Sequence, residues 1–223
     1  MWFELPDAPP DWVPAARHLS RADPKLAKIV RSVGPCTLAP RRDYFVALCK
    51  AIFNQQISTA VATVLFGRFR NEFPGRRPTP AGFLASHKRD AEILRRCGLS
   101  RQKAAYLIDL SEHFVSSRIP TRKLSRMTDE QVIESLVAVK GIGRWSAEMF
   151  LMFVLNRPDV LPVDDLGLRE GVREIYDLPV RPTAKQLTAI AEPWQPYRSV
   201  ATWYIWRRAT TWQPSAARIG KKK

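Results

Sequence analysis

Apolar residues along the chain recur at helical spacing between proline and glycine breaks, and no clear period-two alternation of the kind a half-buried strand needs is present. An all-α fold follows. Asp23-Pro24 reads as an N-cap followed by proline at the first helical position, opening a helix over 25–33 that stops near Gly34-Pro35. Residues 42–53 carry Phe45, Val46, Leu48, Cys49, Ile52 and Phe53 in helical register, and 58–73 forms a further pattern that ends before Pro74-Gly75. Two shorter helices are predicted over 79–86 and 89–97, with Gly98 as a C-cap, and a long one over 100–117.

Thr128 and Gln131 make a capping box at the head of a helix over 129–139, whose Val132, Leu136 and Val139 share one face. Lys140-Gly141-Ile142-Gly143 then turns the chain into a strongly apolar helix over 144–155. Arg157-Pro158 ends that helix, and Leu161-Pro162-Val163 leads in extended form to Asp164-Asp165, which sit at the N-terminus of a helix reaching about residue 176. Helices over 183–192 and 197–210 follow. No internal repeat or long low-complexity linker divides the chain.

Composition adds an electrostatic constraint. Lys and Arg total 36 against 21 Asp and Glu, a formal net charge of +15 over 223 residues. Nucleic acid is the commonest partner of such an excess, because basic side chains displace the counterions condensed on phosphates. An acidic membrane surface competes with it, but no run of about 18 uninterrupted apolar residues exists to span a bilayer. The start, Met1-Trp2-Phe3-Glu4-Leu5-Pro6-Asp7, lacks a secretory or transit pattern, so an intracellular protein is expected. Cys36, Cys49 and Cys97 stand far apart, which suits reduced thiols and cannot supply a four-cysteine iron–sulfur cluster. His18, His87 and His113 share no ligand spacing, so no metal site is expected. The basic end, residues 215–223, is expected to be disordered and merely electrostatic.

The chemistry concentrates in Val139-Lys140-Gly141-Ile142-Gly143-Arg144-Trp145-Ser146-Ala147. Glycines two apart let the chain turn sharply, adopt positive φ and bring N–H groups close to an anion at the start of the next helix. A phosphate is the natural anion. Ordinary helix–helix turns with glycine at the C-cap use the same spacing. Asp164 and Asp165 likewise have two readings: N-capping, which Asp performs well, or a carboxylate held rigidly for chemistry, with the positive helix end favouring its anionic form.

Taken together, the hairpin and Leu161-Pro162-Val163-Asp164-Asp165 resemble the helix-hairpin-helix, Gly/Pro-rich loop and Asp signature of the base-excision DNA glycosylases, most closely the 3-methyladenine DNA glycosylase II branch. Three further stretches extend the resemblance over about residues 42–214. Ala51-Ile52-Phe53-Asn54-Gln55-Gln56-Ile57-Ser58 is similar to the family's early Gln-containing motif, and Arg96 through Lys103 to its Gly-Leu-Ser-x-x-Lys segment. Pro193 through Ser199, with Trp203-Tyr204-Ile205-Trp206 and Trp212-Gln213-Pro214, is similar to its terminal helix.

The resemblance implies a two-lobed helix-hairpin-helix fold with a DNA-binding cleft between the lobes. Residues 1–45 and 157–223 would build the lobe made from both chain ends, and 46–156 the central lobe. Where the bacterial enzyme carries an additional β-rich N-terminal domain, this sequence has only about forty residues, so contacts from that domain do not carry over. The implied catalytic residue is Asp165, matching the second Asp of the alkylpurine branch's motif; Val163 between Pro162 and the pair leaves Asp164 as the alternate.

Trp145 stands where bifunctional glycosylase/lyases carry a Schiff-base lysine, so the resemblance implies a monofunctional enzyme. Trp145 with Met149 and Trp206 would line the base pocket. Purines methylated at N3 or N7 are cationic, and stacking on indole attracts them. Gln56 matches the residue that plugs the gap left by a flipped nucleotide, or is a buried helix-terminal Gln bonded to backbone. Gly141, Ile142, Gly143, Ser146, Ser100, Arg101 and Lys103 would contact the DNA backbone, although a solvated helix face would also carry Arg101 and Lys103. The implied partner is double-stranded DNA containing damaged bases, bound by a monomer. No cofactor is implied, apart from a structural monovalent cation on hairpin carbonyls.

Overall fold

The computed structural model describes residues 9–211, with side chains through residue 208. The helices in chain order are α1 (Val13–Ala22), α2 (Pro24–Val33), α3 (Tyr44–Asn54), α4 (Thr59–Asn71), α5 (Pro80–Arg89) and α6 (Ile93–Arg96). They continue with α7 (Arg101–Val115), α8 (Asp129–Val137), α9 (Arg144–Phe153), α10 (Leu166–Ile175), α11 (Ala184–Ile190) and α12 (Arg198–Thr211). Among the described residues there is no strand, as the absence of alternation predicts. No described helix is long and apolar enough to cross a membrane.

By its own packing the chain divides into two units. The central unit comprises Ala39–Asn156; the terminal unit joins Pro9–Leu38 to the chain from Arg157 on. In the central unit α3 buries Phe45, Leu48, Cys49, Ile52 and Phe53, and α4 adds Ala62, Phe66 and Phe69. Phe53 meets Phe66 and Phe69 at 5.2 Å between ring centroids, and Phe69 meets Phe73 at 5.0 Å and Phe83 at 5.9 Å. Each such ring removes enough apolar surface from water to stabilise the fold by about 1.5–3 kcal/mol.

The terminal unit is built from both ends of the chain: α2 packs on α1 and α12, and α10 on α12. Its core centres on Leu19, Leu26, Trp194, Val200 and Tyr204. Asp23 is the polar pin of that core, 7% exposed. One oxygen accepts the N–H groups of Lys25 (2.9 Å) and Leu26 (3.2 Å), the N-cap expected from Asp23-Pro24. The other accepts Trp194 Nε1 at 3.0 Å and the Tyr176 hydroxyl.

Several boundaries differ from the sequence expectation for local reasons. The single helix expected over 89–97 is two pieces: α5 runs on to Arg89, and Asp90 turns extended (φ −145°, ψ 94°) and accepts the Glu92 N–H at 3.0 Å, leaving only α6. Helix α1 was not anticipated. Its apolar positions, Ala15 and Leu19, are sparse among polar ones, and it is tied down by a long-range bond from Trp12 Nε1 to the Leu38 carbonyl at 2.7 Å. The last helical turn expected over 191–192 is a 3₁₀ turn, Glu192–Trp194. Cys36, Cys49 and Cys97 are buried free thiols. The basic end, residues 215–223, and Trp212-Gln213-Pro214 lie outside the described residues.

Candidate nucleic-acid interface and catalytic carboxylate

The hairpin begins with the predicted capping box: Gln131 N–H donates to Thr128 Oγ1 (3.3 Å), and Thr128 N–H donates back to Gln131 Oε1 (2.9 Å). Helix α8 so started ends at Val137, and Gly141 at φ +81° reverses the chain into α9. Two facts require glycine at 141. That φ strains any L side chain, and a Cβ there would fall inside the van der Waals envelope of the Tyr106 ring. Tyr106 belongs to α7, and so does Asp109, whose carboxylate accepts the Lys140 N–H at 2.8 Å.

Gly143 is the N-cap of α9 and has no side chain to cap with. The cap residue itself thus offers no side-chain acceptor to the first turn, and the helix presents its positive end there. An anionic oxygen completes such an end. Arg144 is committed to other work. Its guanidinium meets both Glu130 oxygens at 2.7 and 2.9 Å, its Nε lies 3.3 Å from Glu148, and Glu130 is held below the usual carboxylate range chiefly by its hydrogen bond to Arg144. This pairing braces α9 against α8 from the solvent side.

Trp145 sits at the second position of α9 with 42% of its surface exposed, and Met149, one turn on, is buried at 4%. Ile142 is buried in the hairpin, Gly141 and Gly143 are exposed, and Ser146 is partly exposed. Ser100 caps α7 by accepting the Lys103 N–H at 3.3 Å, and both Ser100 and Arg101 are exposed.

Lys103, expected on phosphate, instead turns inward. Its Nζ donates to the carbonyls of Phe53 (2.9 Å) and Gln55 (2.6 Å), satisfying the C-terminal end of α3, and burial lowers its pKa. The turn it supports carries Gln56, exposed and at φ +58°. Gln56 is thus not a buried helix-terminal residue. Its neighbour Gln55 reaches across the unit, Nε2 donating to the Gly141 carbonyl at 2.7 Å.

In the terminal unit the loop before α10 is fastened to the head of α12. Arg198 meets both Asp159 oxygens at 2.8 Å, and Ser199 Oγ accepts the Val160 N–H at 2.8 Å. Beyond Pro162 the chain delivers Asp165 as the N-cap of α10. Its Oδ1 accepts the Leu168 N–H at 2.5 Å and Trp206 Nε1 at 3.0 Å. The capping bond and the indole bond converge on the same oxygen and together hold the side chain in place.

Gly167 leaves room for this pair, since a Cβ there would sit 3.3 Å from Asp165 Oδ1 and 3.4 Å from Trp206 Nε1. Asp165 is partly exposed; Asp164 is exposed and makes no hydrogen bond or ion pair with another described residue. The Trp206 bond to Asp165 was not anticipated; a separation of 41 residues hides it from any local pattern. No three His, Cys, Asp or Glu side chains among the described residues cluster closely enough to hold a metal.

With this geometry in place, comparisons with known proteins are specific. The family model described as HhH-GPD superfamily base excision DNA repair protein matches residues 49–196. The chain is 37% identical over 195 residues to DNA-3-methyladenine glycosylase 1 of Schizosaccharomyces pombe, covering 85% of this chain and 84% of that protein. It is 32% identical over 206 residues to the alkylbase DNA glycosidase-like protein mag2 of the same yeast, covering 88% and 93%. Among solved structures, the S. pombe 3-methyladenine DNA glycosylase Mag1 in complex with abasic DNA superposes with a TM-score of 0.78 at 35% identity, covering 89% of this chain and 97% of that one.

Proposed function

Because the chain belongs to the HhH-GPD superfamily of base excision DNA repair proteins, we propose that it is a monofunctional DNA glycosylase that removes alkylated purines from duplex DNA. The observation that carries this reading is Asp165 held by the α10 N-terminus and by Trp206 in a partly exposed position. Capping α10 needs the Leu168 bond alone; the second bond, from Trp206, holds the carboxylate further in place, as a catalytic role requires. Relatives named as 3-methyladenine DNA glycosylases, one of them solved on abasic DNA, support substrate class and partner alike.

The chemistry follows from charge. An N3- or N7-alkylated purine is cationic while attached to the sugar and leaves as a neutral base, so cleavage needs little acid assistance. What the enzyme must stabilise is the positive charge that grows on the deoxyribose as the C1′–N bond breaks. A fixed carboxylate does this and orients the water that adds to C1′. Trp145 offers an indole face to the cationic base, an attraction of about 0.5–2 kcal/mol. Indole forms no Schiff base, so the abasic strand stays intact. The extruded nucleotide leaves a gap for Gln56 to fill, while the α9 N-terminus holds a phosphate.

The hydrolysis as proposed calls on no cofactor. A monovalent ion on the hairpin carbonyls would share oxygens already in use, since the Val139 carbonyl accepts the Ile142 N–H (3.1 Å) and the Gly141 carbonyl accepts Gln55. Such donors suit a structural role. A reducing, intracellular setting is supported by the three buried free thiols.

The test is an excision panel of duplexes bearing 3-methyladenine, 7-methylguanine, ethenoadenine or hypoxanthine, each incubated with protein and then treated with alkali. Asp165→Asn is expected to lower single-turnover excision by at least about 100-fold, with Asp164→Asn far milder. Loss confined to Asp164→Asn moves the role to that residue. DNA binding without base release by the wild type leaves a binding-only hairpin protein, and strand breaks without alkali overturn the monofunctional assignment.

A further inference from the structure

Within the central unit, one face of α7 meets both the turn that follows α3 and the start of the hairpin. Lys103, Tyr106 and Asp109 follow one another at three-residue steps, so their side chains lie along one stripe of the helix. Lys103 Nζ holds the Phe53 and Gln55 carbonyls at 2.9 and 2.6 Å. Tyr106 packs on Gly141, and Asp109 accepts the Lys140 N–H at 2.8 Å. The stripe therefore spans from the turn that bears Gln56 to the hairpin. A second tie closes the loop: Gln55 Nε2 donates to the Gly141 carbonyl at 2.7 Å, while Gln55's own carbonyl receives Lys103.

These bonds have a consequence for Gln56. A non-glycine residue at φ +58° is held in a sparsely populated conformation at a cost of about 1–2 kcal/mol, and it persists only when its surroundings over-determine it. Its two chain neighbours on the N-terminal side supply that determination. Asn54 is anchored by Nδ2 to the Lys50 carbonyl at 2.8 Å, and Gln55 is bound at both side chain and backbone.

We infer that Gln55 and Lys103 are positioning residues that lock the turn carrying Gln56 in register with the hairpin, so that phosphate grip and gap filling engage one duplex as a single rigid unit. This rests on the glycosylase reading and adds to it how the gap-filling residue is aimed. Neither residue needs to touch DNA for the effect. Losing the register leaves the hairpin's hold on an intact backbone and removes the preference for a duplex with a vacancy in its stack.

The experiment compares Kd by fluorescence anisotropy for two duplexes identical except for one tetrahydrofuran abasic site. Gln55→Glu keeps the size of the side chain but aims a carboxylate at the Gly141 carbonyl; Lys103→Met keeps the aliphatic stem and loses the donor, and Lys103→Arg restores a donor. In Gln55→Glu and Lys103→Met the preference for the abasic duplex is expected to fall about five- to tenfold, with the intact-duplex Kd within about twofold of wild type. Lys103→Arg recovers at least part of the preference. Melting temperatures measured alongside identify any variant whose loss is global.

Unchanged preference in both variants, equal loss on both duplexes, or a wild type with no preference overturns the inference. The two readings fail separately. A wild type that excises no alkylated purine, yet prefers the abasic duplex through Gln55, sinks the glycosylase assignment alone; excision with a preference indifferent to Gln55 sinks this one alone.

Discussion

Gly141→Ala is the most quantitative probe of the hairpin, because two separable strains meet at one Cβ. The first is conformational: φ of +81° in an L residue costs about 1–2 kcal/mol, offset by up to about 1 kcal/mol because alanine stiffens the unfolded chain. The second is steric, since the new methyl overlaps the Tyr106 ring, whose hydroxyl is itself held by Gln102 Nε2 at 2.6 Å. Forcing a packed ring aside costs about 1–3 kcal/mol. The expected loss is about 1–5 kcal/mol by urea unfolding, together with weaker binding of undamaged duplex. Repeating the substitution in a Tyr106→Ala background removes the ring and leaves only the conformational part. The two costs should then differ by about 1–3 kcal/mol, read as the coupling energy of a double-mutant cycle. Equal costs in the two backgrounds, or a loss below about 0.5 kcal/mol in the wild-type background, would refute the account of why this position is glycine.

Three other outcomes are expected. Trp206→Phe keeps an aromatic ring but deletes the N–H that Asp165 Oδ1 accepts at 3.0 Å; single-turnover excision should fall about 10- to 100-fold with abasic-duplex affinity unchanged, and a rate within twofold of wild type rejects the positioning role. Asp23→Asn places an amide among four donors around a buried carboxylate, and denaturant unfolding should report a loss of about 2–3 kcal/mol. Glu170 is drawn down from the ordinary 4.5 to about 2, first by its hydrogen bond to Arg173 and then by that to Arg181. A depressed carboxylate stabilises the fold above its unfolded pKa and loses that contribution as pH falls through the folded value. Arg181→Ala should therefore raise the Glu170 midpoint in a carbon-detected NMR titration; an unmoved midpoint removes Arg181 from the explanation.

What could be read from the amino acids was whatever is encoded within a few residues. Asp23-Pro24, the Thr128–Gln131 box, Gly141 and Asp165 each act on backbone groups nearby, so their residue types announce them. The hidden features are the ones formed between distant segments. Gln55 meets Gly141 across 86 residues, Lys103 meets Gln55 across 48, and Trp206 meets Asp165 across 41. Lys103 is ambiguous in the sequence for this reason: a lysine beside a helix N-cap has the same local signature whether its amine reaches a phosphate or a carbonyl. The left-handed backbone of Gln56 was equally invisible, because glutamine has no preference for it and only the surrounding bonds impose it.

The construction of the terminal unit from both chain ends bears on how the protein comes off the ribosome. Residues 39–156 can emerge and pack while α1 and α2 still wait for α12, whose Tyr204 hydroxyl bonds the Gly34 carbonyl at 3.1 Å across 170 residues. Asp165 receives its indole partner from that same helix. A nascent chain stalled before α12 thus holds a finished hairpin and an Asp165 without its Trp206 bond, and that alignment arrives only once α12 has been made.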